Sequence, residues 1–309
     1  MSRALIVPVL AVTALGLAAC GSSASPSGSA SGTGSTITVA STADACTLSA
    51  ATTASGPTTF SVTNNGDEAT EFYVYAADGE RIVGEVENIG PAITRELTVV
   101  LQPGTYRTAC KPGQTGDGIR AEFVVTGEPV ANAAAAELKT AADGYKAWVE
   151  DEAQALLTGT AAFVAAVKAG DIPKAKALYA ATRVHWERIE PVAESFGDLD
   201  PKLDARENDV EAGTPWTGWH RIEKSLWVDK SLAGMSPVAD QMLADTTELV
   251  AKIVAVELTA DQVTNGAKEL LDEVATGKVT GEEERYSHTD LWDFQANVDG
   301  AKQAFEAVE

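Results

Sequence analysis

Three histidines make up the whole imidazole content of this chain, and each stands close to a carboxylate. In His220-Arg221-Ile222-Glu223 the imidazole and the carboxylate are three residues apart, so on a helix both project from one face and can share one ion. Glu187-Arg188-Ile189-Glu190 repeats that spacing with two carboxylates, just beyond His185. His288 precedes Asp290 and Asp293, and Asp290 is too near to share its helical face unless a turn intervenes. Clusters of this kind on separate helices are what a metal site inside a bundle requires, because each helix contributes one or two inward ligands.

Each cluster also has a plainer reading. Glu-x-x-Glu is commonly a solvated helix face. His-x-x-Glu lacks the second histidine of the zinc-peptidase spacing His-Glu-x-x-His, which occurs nowhere in the chain. Trp216, Trp219 and Trp227 surround His220, and Trp186 adjoins Glu187. Such aromatic neighbours predict a buried seam, where a carboxylate needs a compensating cation. A metal ion could supply it, or Arg183, Arg188, Arg206, Arg221 and Lys224 could do so as structural salt bridges.

The elements that must position these residues are helical from about residue 131 onward. Ala133 to Ala169 is Ala-rich with apolar residues at mixed three- and four-residue steps, and it stops at Gly170. Asp171 and Pro173 read as the cap and first turn of a second helix through Trp186, which Pro191 should kink or end. Further helices are expected over Trp219–Trp227, Pro237–Leu258, Ala260–Ala275 and Glu282–Val308, giving an antiparallel bundle. Ahead of them, residues 36–128 read as a small β-sandwich. Strands are predicted at Thr36–Val39, Thr59–Thr63, Glu71–Tyr75, Glu96–Leu101 and Glu122–Val125, separated by turns such as Asn64-Asn65-Gly66-Asp67 and Gln102-Pro103-Gly104.

Arg3 and the apolar run Ala4–Leu17 read as a secretory signal over residues 1–19. It ends in Leu17-Ala18-Ala19-Cys20, which resembles a bacterial lipobox, so Cys20 is the expected lipid-modified N-terminus. Residues 20–35 then form a Gly/Ser-rich tether to the membrane. With Cys20 lipidated, Cys46 and Cys110 remain in an oxidising compartment, as a bridge or as two soft metal ligands. The chain has 45 acids against 23 bases, a formal net charge of −22. That field excludes nucleic acid as a partner and favours cations. Residues 129–309 carry 33 of the acids and 17 of the bases, so most of the anionic field belongs to the helical body.

Three stretches resemble a known family. They are Trp186–Asp200 continuing through Asp204-Ala205-Arg206-Glu207, then Trp216–Trp227, then Ser287–Asn297. Together they resemble the EfeO family of extracytoplasmic components of bacterial EfeUOB iron-uptake systems. The helical body is similar to the imelysin, or peptidase-like, group with its Gly-x-His-x-x-Glu motif, which stands here as Gly218-Trp219-His220-Arg221-Ile222-Glu223. The front body resembles the cupredoxin domain of long EfeO proteins.

The resemblance implies a lipid-anchored carrier that binds iron, ferrous or ferric, and presents it to a membrane ferric permease with a haem peroxidase as companion. It implies metal ligation by His220 and Glu223, with Glu187 and Glu190 facing them, then Asp204, and more remotely His288. Hard oxygen donors with one imidazole suit iron, and also zinc or manganese. In the front domain it implies Cys46, Cys110, Glu71 and Glu87 as a copper or iron site, or else a Cys46–Cys110 disulfide. A blue-copper site needs two histidines with its cysteine; this domain has none, and Arg107 stands where some relatives carry an acid. A metallopeptidase and a copper-assisted ferroxidase are the competing classes of function.

Overall fold

The computed structural model describes residues 34–309 apart from 80, 115, 131–134, 198, 211–212 and 277. The expected signal, Cys20 and nearly all of the tether lie outside the described residues.

Among the described residues nine strands come first: β1 (Ser35–Ser41), β2 (Cys46–Leu48), β3 (Thr52–Ala54), β4 (Gly56–Asn64), β5 (Thr70–Tyr75), β6 (Ile82–Ile89), β7 (Thr94–Leu101), β8 (Gly104–Pro112) and β9 (Ile119–Thr126). They form a sandwich of two sheets, ordered β2-β1-β4-β7 and β3-β9-β8-β5-β6. Alternation decides the faces: along β4 Thr58, Phe60 and Val62 are buried while Thr59, Ser61 and Thr63 are more open. Phe60 packs on Phe72 and Phe123 at ring-centroid distances of 5.2 and 5.4 Å, which joins the sheets at their centre.

The predicted strands are present, and β2, β3, β6 and β8 add to them. β6, Ile-Val-Gly-Glu-Val-Glu-Asn-Ile, is acidic and broken by glycine, so its strand character comes from pairing with β5 rather than from propensity. Cys46 of β2 and Cys110 of β8 are joined as a disulfide between the two sheets, with Cα atoms 5.5 Å apart.

Seven α-helices follow among the described residues: α1 (Ala135–Lys168), α2 (Ile172–Glu194), α3 (Leu199–Asp204), α4 (Gly218–Lys224), α5 (Met235–Ala255), α6 (Ala260–Thr276) and α7 (Asp290–Val308). The Asp171 side chain caps α2 by accepting the Lys174 N–H at 3.1 Å. Two expectations need correction. α2 runs past Trp186 and through Pro191 to Glu194. The last helix starts at Asp290 rather than at residue 282, because 282–288 form turns that end with His288 at φ +57°. α4 continues into one π-helical turn, Ser225–Asp229. The bundle core gathers Phe163, Tyr179, Trp186 and Trp219, with Trp227 against it, so the expected aromatic seam is real.

Helix α6 lies along the edge strands β6 and β7, one from each sheet. Asp261 accepts the Val100 N–H at 3.3 Å, and Asn265 donates to the Thr98 carbonyl at 3.1 Å. Edge backbone that would otherwise invite another strand is thereby satisfied from within. No helix among the described residues is long and apolar enough to cross a membrane.

The disulfide closes a loop of sequence separation 64, for which loop entropy gives about 4 kcal/mol. Cys46→Ser with Cys110→Ser should therefore lower unfolding stability by roughly that amount. Chemical denaturation of both forms, followed by sandwich tyrosine fluorescence, checks it.

Candidate metal centre

Helix α2 supplies the floor of the centre. Arg183, Glu187, Glu190 and Glu194 follow at steps of four, three and four, which places them in one stripe. α3 brings Asp204 and α4 brings His220 and Glu223; the turns after α6 bring Lys278, Glu283 and Glu284; α7 brings Asp293 and Asn297. Gly218 fixes the approach of α4. It sits at φ +78°, and a Cβ there would lie 2.1 Å from the Leu203 carbonyl oxygen. Only glycine lets α3 and α4 meet so closely.

His220 is 2% exposed and has carboxylates at both ring nitrogens. Nδ1 lies 3.2 Å from Glu223 Oε2; Nε2 lies 3.4 Å from Asp204 Oδ1 and 3.7 Å from Glu283 Oε1. Two three-residue ligand sets therefore share one imidazole, Asp204–His220–Glu283 and His220–Glu223–Glu284, and a third is Glu187–Glu190–Asp204. In each, the donor atoms lie within 4.8 Å of one another. Glu223 is held by the backbone: its Oε1 accepts the N–H groups of Tyr286 and Ser287 at 2.9 and 2.6 Å. Asn297 donates to Glu187 Oε2 and Glu190 Oε2 at 3.2 and 3.0 Å.

Internal cations answer much of this charge. Arg183, wholly buried, pairs with Glu187, Asp204, Glu283 and Glu284. Lys278 lies 2.7 and 2.6 Å from Glu187 and Glu190, and Arg206 lies 3.0 Å from Glu283. The salt-bridge reading thus holds for Arg183 and Arg206. Even so, seven carboxylates (Glu187, Glu190, Asp204, Glu223, Glu283, Glu284, Asp293) face these three fixed cations. Among the described residues neither Asp293 oxygen has a hydrogen-bond partner, and the nearest cation, Arg183, is 3.8 Å away; Glu283 Oε2 and Glu284 Oε1 are met only by the ion pairs with Arg206 and Arg183.

The ionisation of the centre follows from that imbalance. Burial works to lower the His220 pKa, but Asp204 with Glu223 and Glu283 overrides it and holds the imidazole well above its ordinary value. Burial and the neighbouring Glu190 push Glu187 up to about 8, and burial raises Glu284 to about 8 against the pull of Arg183. Burial would raise Glu283 too, yet Lys278, Arg206 and His220 hold it well below the usual carboxylate range. The donors that remain, oxygen with one imidazole nitrogen, fit a hard or borderline metal ion.

The structure brings together five of the six helical candidates, His220, Glu223, Glu187, Glu190 and Asp204. His288 is exposed and outside the cluster. Sequence reasoning passed over Glu283, Glu284 and Lys278, and it named Asp293 only as a neighbour of His288. The available signals are an acidic run, Glu282-Glu283-Glu284, and the four-residue step from Asp293 to Asn297 in the third family-like stretch.

In the sandwich, Cys46 and Cys110 are bonded to each other, so neither offers a thiolate. With no histidine between residues 36 and 128, a blue-copper ligand set does not fit this domain. Glu71 and Glu87 do meet, through the Tyr73 hydroxyl, which lies 2.8 Å from Glu71 Oε2 and 2.9 Å from Glu87 Oε1.

The imelysin family model matches residues 141–309, and the cupredoxin-like domain model matches residues 10–125. Proteins described as "Iron uptake system component EfeO" from Escherichia coli K12, Escherichia coli O157:H7 and Shigella flexneri are 44% identical over 258 residues, 81% of this chain and 68% of theirs. The chain belongs to the EfeO family. Among solved structures it is similar to auracyanin A, a blue copper protein of Chloroflexus aurantiacus, at 17% identity and a TM-score of 0.23, over 29% of this chain and 98% of that one. In this EfeO-family chain the Gly-x-His-x-x-Glu motif of the imelysin part occupies the centre described above.

Two outcomes follow from the geometry. Gly218→Ala should destabilise the helical body by at least about 2 kcal/mol, from positive φ and the backbone clash together. Arg183→Met should cost the metal-free protein roughly 3–5 kcal/mol, because it strands buried carboxylates. Thermal melts with and without Mn2+ test the second: the ion should raise the melting temperature more in Arg183→Met than in the parent.

Proposed function

We propose that this protein is an extracytoplasmic iron carrier of an EfeUOB-type uptake system. The reading has it tethered to the membrane by lipid on Cys20 after loss of residues 1–19. It captures iron at the helical centre and hands it to a membrane ferric permease, with a haem peroxidase as companion. Support comes first from one observation: His220 has carboxylates at both ring nitrogens within a group of carboxylates that outnumber their fixed cations. The relatives that match it are named as iron-uptake components, and that name supports iron as the cargo over zinc or copper, which the same donors also accommodate.

Capture rather than hydrolysis suits the burial. His220 and Glu223 are 2% and 0% exposed. An ion that has shed most of its water can occupy such a place, whereas a peptide bond cannot reach it. A metallopeptidase also needs an open coordination position beside a base. With the sandwich cysteines bonded to each other, a thiolate-copper ferroxidase loses its ligands.

Equilibrium dialysis against ferrous ion under anaerobic conditions, ferric citrate, Zn2+ and Cu2+ tests the assignment. His220→Ala with Glu223→Gln should weaken iron binding at least tenfold, on the order of the loss expected for removing metal-orienting groups. Unchanged iron binding in that variant would sink the site.

A further inference from the structure

A second acidic cluster lies where the helical body meets the sandwich. β6 presents Glu85 and Glu87 on the sheet face away from the sandwich core, the end of α2 brings Glu194, and α6 brings Glu269 and Glu273. All five line one cavity of about 320 Å³. Carboxylate oxygens of Glu87, Glu194 and Glu273 lie within 4.8 Å of one another. That is the span across a single ion whose oxygen ligands sit at about 2.3–2.6 Å.

The protein's own compensation falls short here. Tyr73 reaches Glu87 at 2.9 Å, and Lys278 lies 3.2 Å from Glu273 while also holding Glu187 and Glu190. Arg95 and Lys268, the cations that line the cavity, both pair with Asp272. Glu85 is the deciding residue. It is 5% exposed and lines the cavity, yet among the described residues no hydrogen bond or ion pair reaches it, and only the more distant charge of Lys111 offsets its own. Burial and the neighbouring carboxylates push Glu85 and Glu194 well above the usual range, and raise Glu87 and Glu273 to about 7. A buried carboxylate without a partner either takes up a proton or is paired by an outside cation, and the convergence of Glu87, Glu194 and Glu273 oxygens on one point gives such a cation a place to sit.

We propose that this cavity is a second metal site, distinct from the His220 centre. It takes a hard cation, such as Mn2+, Mg2+, Ca2+ or iron, through Glu87, Glu194 and Glu273. Glu85 and Glu269 hold part of the ion's water shell. The donors are all oxygen, with no nitrogen or sulfur, which selects this class over Cu(I) and zinc. The cavity is roomy enough for a partly hydrated ion. Because the ligands come from one strand and two helices, the bound ion joins the sandwich to the helical body.

The test counts Mn2+ bound to the full chain carrying His220→Ala and Glu223→Gln, by electron paramagnetic resonance, so that a failed His220 centre and a failed second site read differently. One Mn2+ per chain should remain in that background. Adding Glu87→Gln and Glu273→Gln should remove it or weaken it at least tenfold, while raising the metal-free melting temperature because repulsion is relieved. Absence of Mn2+ in the first background, or unchanged Mn2+ affinity after the two further substitutions, overturns the proposal. Glu273→Gln alone, at a partly exposed position, provides the same reading if the fuller variant does not fold; unchanged Mn2+ affinity there overturns it too.

Discussion

Arg183 is the charge around which the helical body is arranged. Its guanidinium is fully buried and meets carboxylates from α2, α3 and the turns before α7, with Asp293 of α7 at 3.8 Å. Bringing a guanidinium out of water carries a penalty of several kcal/mol, which is offset only when the surrounding geometry is good and its donors are used. Three stretches far apart in the chain must therefore arrive together. Hydrophobic burial of Trp186, Trp219 and Tyr179 supplies the bulk attraction between the helices. The planar fork of Arg183, less tolerant than apolar contact, sets which faces turn inward.

The same dependence explains what could be read beforehand and what could not. The stripe on α2 and the His-x-x-Glu pair were legible because both partners of each pair sit on one helix, where spacing alone dictates a shared face. Asp204 was harder, for it lies on a six-residue helix too short to show a period. Glu283 and Glu284 belong to an acidic run whose ordinary reading is solvated surface, and they turn inward through irregular backbone closing at His288. His288 itself, beside two acids in sequence, is carried outward by that left-handed residue. Helix 282–308 was expected from composition, and the true start at Asp290 places the Glu284 N–H on the Asp290 side chain at 3.1 Å.

The sandwich shows a comparable limit. Its alternating strands and their turns were plain, whereas β6 reads poorly because two of its outward residues are glutamates. On an isolated sandwich those acids would be solvated and unremarked. They become buried only because α6 and the end of α2 lie against that edge, so their significance belongs to the assembly of two bodies and to neither alone.

Lys278 touches both acidic clusters, with Glu187 and Glu190 on one side and Glu273 on the other. A carrier is judged by letting go as much as by holding. When an ion leaves ligands that have no other partner, it leaves naked charge behind, and departure is slow. Here an ammonium and a guanidinium already stand among the carboxylates and would take them up as an ion left. Resident cations of this kind cap the affinity for an ion and shorten its residence time, which is the compromise that the proposed hand-off would demand.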